Sequence, residues 1–293
     1  MDYDSWSIGI YSGHTALGLA PDARAANPVL SAADVTDVPA QFVADPFMIS
    51  VDGSWYMFFE VFNRATQRGE IGLATSQDGI RWIYRCIVLS EPFHLSYPHV
   101  VRLKNETFFV PECYRGGAVR IYRATNFPFS WKLAGFLMEK ACVDPSLFEY
   151  QNLWWMFWAE PNGRHDTLHL SFARELSGPW MEHPRSPVIM QNPGSARPAG
   201  KVLANEHSLI RFAQDCSTSY GNSVRAFEIT FLTETGYAER EYRRSPVLKG
   251  SGTGWNAAQM HHIDVHRLSA GRWIACVDGL GETAPAGRGS VKL

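Results

Sequence analysis

Ionisable and aromatic residues recur at matching points along this chain, beside short apolar segments that end in an acid. The segments begin at Asp45, Tyr97 with His99, Asp144, Arg197, and His261 with His262, and they end at Glu60, Glu112, Glu160, Asp215 and Asp278. Two carboxyl groups across a pocket suit hydrolysis of a glycosidic bond, because one protonates the leaving oxygen while the other activates water or attacks the anomeric carbon. This chemistry requires a fold that brings both sets of residues together.

The segments belong to a repeat. Residues 45–60, 97–112 and 144–160 each have the pattern of strand, short turn, aromatic strand and acid, and residues 197–215 and 261–278 are degenerate copies. A third strand follows each of the first three copies and ends at Trp82, Trp131 or Trp180, which are 49 residues apart. A fourth strand precedes the next copy. Four short strands in about 50 residues is the period of a β-propeller blade.

The repeat predicts an all-β, five-bladed propeller with four antiparallel strands per blade. The last copy has only two strands, whereas residues 7–13 resemble a third strand and residues 27–30 a fourth, so the N-terminal strands should complete the last blade and remove open sheet edges. A β-sandwich would explain the strand density but not this complementation. The predicted single domain, residues 1–293, divides into strands closing blade five (1–35), blades one to five (42–92, 93–140, 141–190, 191–250 and 258–280) and a tail (281–293).

In a propeller the first strand of each blade lines the central channel, and it starts at the rim where the second strand ends. The ten positions named above should therefore converge on one mouth. Burying so many charges is costly unless they are paired. For Glu60 and Asp278 we favour a structural role, in which the carboxylate accepts hydrogen bonds from backbone amides of the next turn. Asp45 and Asp144 each precede a proline, where a carboxylate can project into the channel.

Composition excludes several classes of function. Lys and Arg number 27 against 29 Asp and Glu, a net charge of -2, so there is no cationic field for a nucleic acid and we expect no nucleic-acid partner. The N-terminus carries acids where a signal peptide carries positive charge, and no window approaches the roughly 18 apolar residues of a membrane span. We predict a cytoplasmic protein without a membrane span. Its five cysteines form no CxxC pair, which predicts reduced thiols.

Metal and cofactor signals are weak. Strand alternation places His262, Asp264 and His266 on one face, with His261 on the other, and His262 and Asp264 are the candidate ligands. The expectation is no cofactor, with calcium or another divalent ion in the central channel left open. Nucleotide and phosphate motifs are missing. A further set of aromatic residues either stacks on sugar rings or fills the core: Trp55, Tyr97, Trp154, Trp155 and Trp158.

The segments ADPF (residues 44–47) and DPS (residues 144–146) resemble the five-bladed propeller glycosidases of families 43, 32 and 62. The resemblance implies that Asp45 is a general base or nucleophile and that Asp144 orients it or stabilises the transition state. The general acid of those glycosidases is a Glu that begins blade four. This chain has Arg197 at that position.

A resemblance to the N-terminal region of plant glucosamine inositolphosphorylceramide transferases and their bacterial relatives covers nearly the whole chain. The shared segments are VADPF, LSYPH, PE at 111–112, Asp144 with Ser146, RPAG, and QDC followed by Tyr220 and Gly221. In the plant proteins this region precedes a separate glycosyltransferase domain. The five repeats take up the present chain, so sugar transfer does not follow from the resemblance.

These arguments predict a carbohydrate-active enzyme, a glycoside hydrolase acting on an acidic or furanosidic sugar. Glu112 is the first substitute for the missing acid, and Glu160 is the second. Arg197 either lies near the carboxylate pair, where it would lower their pKa values and bind a substrate carboxylate or phosphate, or pairs structurally with Asp215 or Glu160. The predicted substrate-binding residues are Tyr97, His99, Glu160, Arg197, Asp215, His261 and His262. The alternative is a non-catalytic glycan-binding propeller or an accessory module of a glycosyltransferase system.

Overall fold

The computed structural model of the protein describes residues 6–204, 208–268 and 271–281. Their helices are three single 3-10 turns, at Ala32–Asp34, Tyr114–Gly116 and Gly254–Asn256, and everything else that is regular is antiparallel strand. No helix among these residues is long and apolar enough to cross a bilayer.

The strands form five sheets, one per blade. The chain begins with β1 (Trp6–Gly13) and β2 (Leu19–Pro21). Blade one contains β3 (Ala40–Val51), β4 (Ser54–Asn63), β5 (Arg68–Ser76) and β6 (Ile83–Leu89), and blade two contains β7 (Ser96–Leu103), β8 (Glu106–Glu112), β9 (Val119–Asn126) and β10 (Ser130–Met138). Blade three contains β11 (Val143–Tyr150), β12 (Leu153–Ala159), β13 (Leu168–Ala173) and β14 (Met181–Glu182). Blade four contains β15 (Leu203–Ala204), β16 (Leu209–Asp215), β17 (Ser223–Leu232), β18 (Tyr237–Glu241) and β19 (Leu248–Lys249). Blade five joins β20 (Ile263–Arg267) and β21 (Trp273–Leu280) to β1 and β2.

The five-bladed propeller and its closure by the N-terminal strands are confirmed. Strand β1 pairs with β21 without interruption, from Trp6 opposite Leu280 to Gly13 opposite Trp273. The fourth-strand similarity of residues 27–30 corresponds to a single bridge between Leu30 and Ile8, while the outer strand itself is β2. The bridge lies at the position that Ile189 occupies beside Leu168 in blade three, which explains the shared sequence pattern.

The core lies between the blades, and aromatic rings pack there among a larger number of aliphatic side chains. Phe109 stacks on Trp131 with ring centroids 3.7 Å apart. Trp154, Trp155 and Trp158 are buried, so these three belong to the core rather than to an exposed sugar platform. The repeated tryptophans after the third strands also fasten turns, because Trp82 Nε1 donates to the Gly79 carbonyl and Trp131 Nε1 to the Pro128 carbonyl. The 49-residue spacing therefore reflects a repeated turn that each indole closes.

The innermost strands of blades one to three carry the same bulge. Asp45, Tyr97 and Asp144 have φ values of 51°, 46° and 52°, and each is followed by proline. At these points β3, β7 and β11 insert two residues against one on the neighbouring strand. A positive φ is costly for residues with a Cβ, and it is disfavoured before proline. Such bulges re-aim side chains, and here they recur at the same point of three consecutive blades.

Candidate functional site

The first half of the site joins blades two, three and four around Arg197. The Arg197 Nε donates to Asp144 Oδ2 at 2.5 Å, and a terminal nitrogen donates to Asp144 Oδ1 at 3.4 Å. The same terminal nitrogen lies 3.7 Å from Glu112 Oε2, and the other contacts His165 Nδ1 at 3.0 Å. Gln214 Nε2 completes the shell of Asp144 with a hydrogen bond of 3.3 Å to Oδ2. Arg197 therefore lies near the carboxylate pair, and it uses its bidentate geometry on Asp144.

Glu112 is a buried carboxyl with few donors around it. Its Oε2 accepts the backbone N–H of Asp144 at 3.2 Å. Burial first, and the Asp144 carboxylate second, raise the pKa of Glu112 well above its ordinary value, although Arg197 acts in the opposite direction. The sequence predicts that Arg197 would lower this pKa; its charge does so, but burial outweighs it. Glu112 therefore keeps its proton at a pH where an exposed glutamate is ionised.

The second half of the site joins blades five and one around Asp278. One oxygen of Asp278 accepts the backbone N–H groups of His261 and His262 at 3.1 and 2.9 Å, and it lies 2.9 Å from His261 Nδ1. The other oxygen accepts the backbone N–H of Asp45 at 3.1 Å. Burial alone would raise the pKa of Asp278, but His261 and the hydrogen bonds hold it below the ordinary value. Asp278 thus has the structural role that we expect for an acid bonded to backbone amides.

His261 lies between two carboxylates. Its Nε2 is 3.5 Å from Asp45 Oδ1, while Nδ1 faces Asp278. Burial lowers the pKa of His261, but the charges of Asp278 and Asp45 outweigh burial and raise it to about 9. His261 is therefore an imidazolium at neutral pH.

Asp45 is the least satisfied member of the cluster. Its Oδ1 is buried with no hydrogen-bond partner among the described residues, 3.5 Å from His261 Nε2 and 3.6 Å from His262 Nδ1. Burial first, and then the neighbouring acids Asp278, Asp144 and Glu60, raise the pKa of Asp45 well above its ordinary value, with His261 acting against them. A carboxylate with a raised pKa is a stronger base than an exposed one.

One group in the described part of the chain has the ligand types and spacing of a metal site: Asp45, His261 and Asp278, whose donor atoms lie within 4.8 Å of one another. The oxygens of Asp278 already accept three backbone N–H groups. Calcium takes six to eight oxygen ligands. The donor set therefore fits an ion pair of imidazolium and carboxylates better than it fits calcium, and no catalytic step is assigned to an ion here.

The remaining candidates from the inner strands are buried inside the channel. The Tyr97 hydroxyl lies 2.6 Å from Ser146 Oγ and accepts the Gly200 N–H at 2.7 Å. His262 is fully buried, with its ring edge-on to Phe47 and Tyr97. Burial lowers the pKa of His99 to about 3 and that of His262 to about 4, so both rings are neutral. These residues shape the channel below the mouth.

Asp264 is bound by groups other than His262, its partner in the predicted metal site. Its Oδ2 accepts from the Met48 N–H at 2.7 Å and contacts His266 Nε2 at 2.7 Å, and its Oδ1 is 3.8 Å from Lys201 Nζ. These partners supply positive charge and N–H groups, as an ionised carboxylate requires. His266 and Lys201, rather than His262, are the side chains beside it.

Three strand-end acids lie outside both clusters. Glu160 contacts His169 Nε2 at 3.0 Å, Glu60 contacts His94 Nε2 at 3.2 Å, and Asp215 accepts from Ser217 and lies 3.9 Å from Arg225. None of these three is an ion-pair partner of Arg197 among the described residues. Of the two acids proposed as substitutes for the missing Glu, Glu112 is the one beside the Arg197–Asp144 pair.

The residues that cover the mouth lie outside the pattern of strand ends. Trp6 packs on His261 with ring centroids 4.1 Å apart, and Tyr220 lies 5.5 Å from His261 and 4.9 Å above the Arg197 guanidinium. Gly221 makes this packing possible, because a Cβ at its φ of 61° would lie 2.7 Å from the His261 Cβ. Gln214, Tyr220 and Gly221 belong to the segments QDC and YG, which the sequence shares with the transferase N-terminal regions. That resemblance is what could have indicated these residues from the sequence.

Comparison with known proteins places the chain in a family. Residues 2–280 match the family model described as glucosamine inositolphosphorylceramide transferase 1, N-terminal. The chain belongs to this family. It is 37% identical over 310 aligned positions to glucosamine inositolphosphorylceramide transferase 1 of Oryza sativa subsp. indica, and the match covers 97% of this chain but 41% of the rice protein. The chain thus spans less than half the length of the curated relatives that it matches.

Solved structures show the same fold in glycoside hydrolases. A family 117 glycoside hydrolase of Zobellia galactanivorans, Zg3597, superposes with a TM-score of 0.54 at 15% identity, covering 83% of this chain and 87% of its own. A thermostable family-43 glycoside hydrolase superposes with a TM-score of 0.58 at 14% identity, covering 81% and 88%. At these identities the likeness concerns the propeller fold.

Proposed function

We propose that the protein is a carbohydrate-active enzyme that cleaves a glycosidic bond at the channel mouth, with Glu112 as the proton donor and Asp45 as the second carboxyl group. The observation that carries the proposal is a pair of buried carboxyls, on blades two and one, whose pKa values are both raised. A glycosidase needs one carboxyl that keeps its proton and one that acts as a strong base or nucleophile. The glycoside hydrolases that share the fold support the same class of chemistry.

In this proposal the half of the site around Arg197 supplies the proton donor, and the half around Asp278 supplies the base or nucleophile. Glu112 gives its proton to the leaving oxygen as the glycosidic C–O bond breaks, and the Arg197 guanidinium, 3.7 Å from Oε2, stabilises the carboxylate that remains. Asp45 takes a proton from the attacking water or attacks the anomeric carbon itself, while the His261 imidazolium favours its ionised form. Asp144, bound to Arg197, places its backbone N–H on Glu112 and so positions the donor.

The test is hydrolysis of a panel of aryl glycosides, including arabinofuranosides, by wild type, D45N and E112Q. Either substitution should lower kcat by a factor of about 100 or more, because general acid–base catalysis contributes factors of that order. The matched control is E106Q, because Glu106 begins the strand that Glu112 ends and forms an exposed ion pair with Arg123. Full activity in D45N or E112Q contradicts the assignment.

A second candidate is a glycan-binding propeller without catalysis, including an accessory module of a glycosyltransferase system. The observation in its favour is Arg197, which stands where the glycosidases that the sequence resembles carry their acid and which ion-pairs with Asp144. This candidate predicts sugar binding with no cleavage. It also predicts that D45N binds the sugar as tightly as wild type.

A further inference from the structure

A row of aromatic rings crosses the channel mouth and includes the buried ring of His261. It consists of Trp6, His261, Tyr220 and His165, with successive ring centroids 4.1, 5.5 and 5.4 Å apart. The row draws on blades five, four and three. Its central member, Tyr220, is 42% exposed, although it lies directly over the Arg197–Asp144 pair.

An exposed ring over a buried polar cluster is the arrangement that a sugar requires. The C–H face of a sugar ring packs on an aromatic face, and its hydroxyl groups then meet polar atoms at the edge of that ring. Tyr220 supplies the face. The carboxyls of Asp45 and Glu112 lie in the same mouth, and Asp45 Oδ1 has no hydrogen-bond partner among the described residues.

The charges at the mouth select against an acidic sugar. Each of its two cations already has an acid, since Arg197 is bound to Asp144 and His261 faces Asp278. The two further carboxyls add no positive charge, because Glu112 keeps its proton and Asp45, when ionised, would repel a uronate or a phosphate. The preference for an acidic sugar that Arg197 suggests in the sequence therefore loses its basis, because the guanidinium is already engaged.

We propose that the aromatic row is the sugar-binding subsite, with Tyr220 as its stacking platform, and that it takes a neutral glycan in preference to an acidic one. This inference rests on the proposed function in placing a sugar at the mouth, but it makes no use of cleavage. The other role for Tyr220 is structural, as a cover that stabilises Arg197 through the contact of guanidinium and ring.

The experiment measures binding separately from hydrolysis. Fluorescently labelled wild type and D45N, as full chains, are applied to a printed array of neutral, uronate-containing and phosphorylated glycans. The strongest neutral glycan and its uronate analogue are then titrated by calorimetry into wild type, Y220F, Y220A and F129A. F129A is the matched control, because Phe129 is also a half-exposed aromatic ring but lies in the turn before β10.

The expected result is binding of neutral glycans, with Kd raised roughly three- to tenfold in Y220A and nearly unchanged in Y220F and F129A. Stronger binding of the uronate, equal affinity in Y220A and wild type, or no binding of any glycan overturns the inference. Tyr220-dependent binding without hydrolysis would leave it intact and remove the proposed catalysis. Hydrolysis that Y220A leaves unchanged and that favours uronates would overturn this inference and leave the proposed catalysis intact.

Discussion

Glu112 and Asp278 occupy equivalent places in the repeat, yet they differ in protonation. Each lies at or near the end of a second strand and accepts the backbone N–H of the positive-φ aspartate of the next blade. Asp278 also accepts the N–H groups of His261 and His262 and faces the His261 ring, so its pKa is lowered. Glu112 has one N–H and a guanidinium 3.7 Å away that also binds Asp144, so burial raises its pKa.

The number of hydrogen-bond donors around each carboxyl, rather than its burial, therefore distinguishes the structural acid Asp278 from the reactive acid Glu112. Both carboxyls are almost completely buried. Hydrogen bonds to the charged form stabilise it, whereas desolvation without them favours the neutral form. The repeat therefore supplies one carboxyl that fastens blade five to blade one and another that keeps a proton at the mouth.

The largest test of this comparison is D278N against E112Q. D278N should lower the free energy of unfolding by about 3–5 kcal/mol, because it removes the nearer of the two carboxylates that flank the buried His261 imidazolium. E112Q should change it by less than about 1 kcal/mol, since burial favours the neutral form of Glu112 and glutamine is a neutral side chain of the same shape. Denaturant unfolding at pH 7, followed by tryptophan fluorescence, measures both values. Similar losses of unfolding free energy in D278N and E112Q would show that Asp278 and Glu112 have the same structural role.

The pH dependence of stability is the next test. The pKa of His261 is raised from 6.5 to about 9, so its contribution is fully present below about pH 6.5 and is lost as the pH rises through about 9. The loss should be at most about 3 kcal/mol. Denaturant unfolding at intervals from pH 6 to 9.5 should show a steeper decline in wild type than in H261N, where buried groups with raised pKa values, such as Cys142 and Cys276, account for the remainder.

His99 and His262 do not add to that decline. Their pKa values are lowered to about 3 and about 4, so their contribution is present above about pH 6.5 and is lost as the pH falls toward those values. An alkaline decline that persists unchanged in H261N would assign the titration to another group and weaken the contrast between Asp278 and Glu112.

Much of the fold follows from the sequence because it is periodic. The spacing of Trp82, Trp131 and Trp180 reflects a turn that is repeated in blades one to three. The two strands missing from the last repeat are those that the N-terminus supplies. Asp45 and Asp144 are also predictable as channel residues, because a proline follows each of them at the start of a first strand and the structure places a bulge there.

The partners within the site do not follow from the sequence. Whether Arg197 pairs with Asp144, Asp215 or Glu160 depends on how blades three and four approach each other, which strand periodicity does not encode. Tyr220 lies in a loop without a pattern, and its place over Arg197 depends on Gly221 fitting against His261. Glu112 keeps its proton because few hydrogen-bond donors surround it. No sequence pattern indicates that a buried carboxyl has few donors.

The smallest effect concerns the packing of the loop against His261. G221A should lower the free energy of unfolding by about 2 kcal/mol, because alanine is strained at a φ of 61° and its Cβ would lie 2.7 Å from the His261 Cβ. The matched control is G53A, in the β3–β4 hairpin, where φ is 81° and a Cβ meets no atom within 4 Å. Its loss, about 1 kcal/mol, measures the strain alone.

The difference between G221A and G53A therefore isolates the contact with His261. If that contact holds the ring between Asp45 and Asp278, G221A should also shift the alkaline decline in stability, whereas G53A should leave its midpoint unchanged. A decline that keeps its midpoint in G221A would mean that Asp278 alone fixes the ring. The loop of Tyr220 and Gly221 would then act on the ligand and not on the charges beneath it.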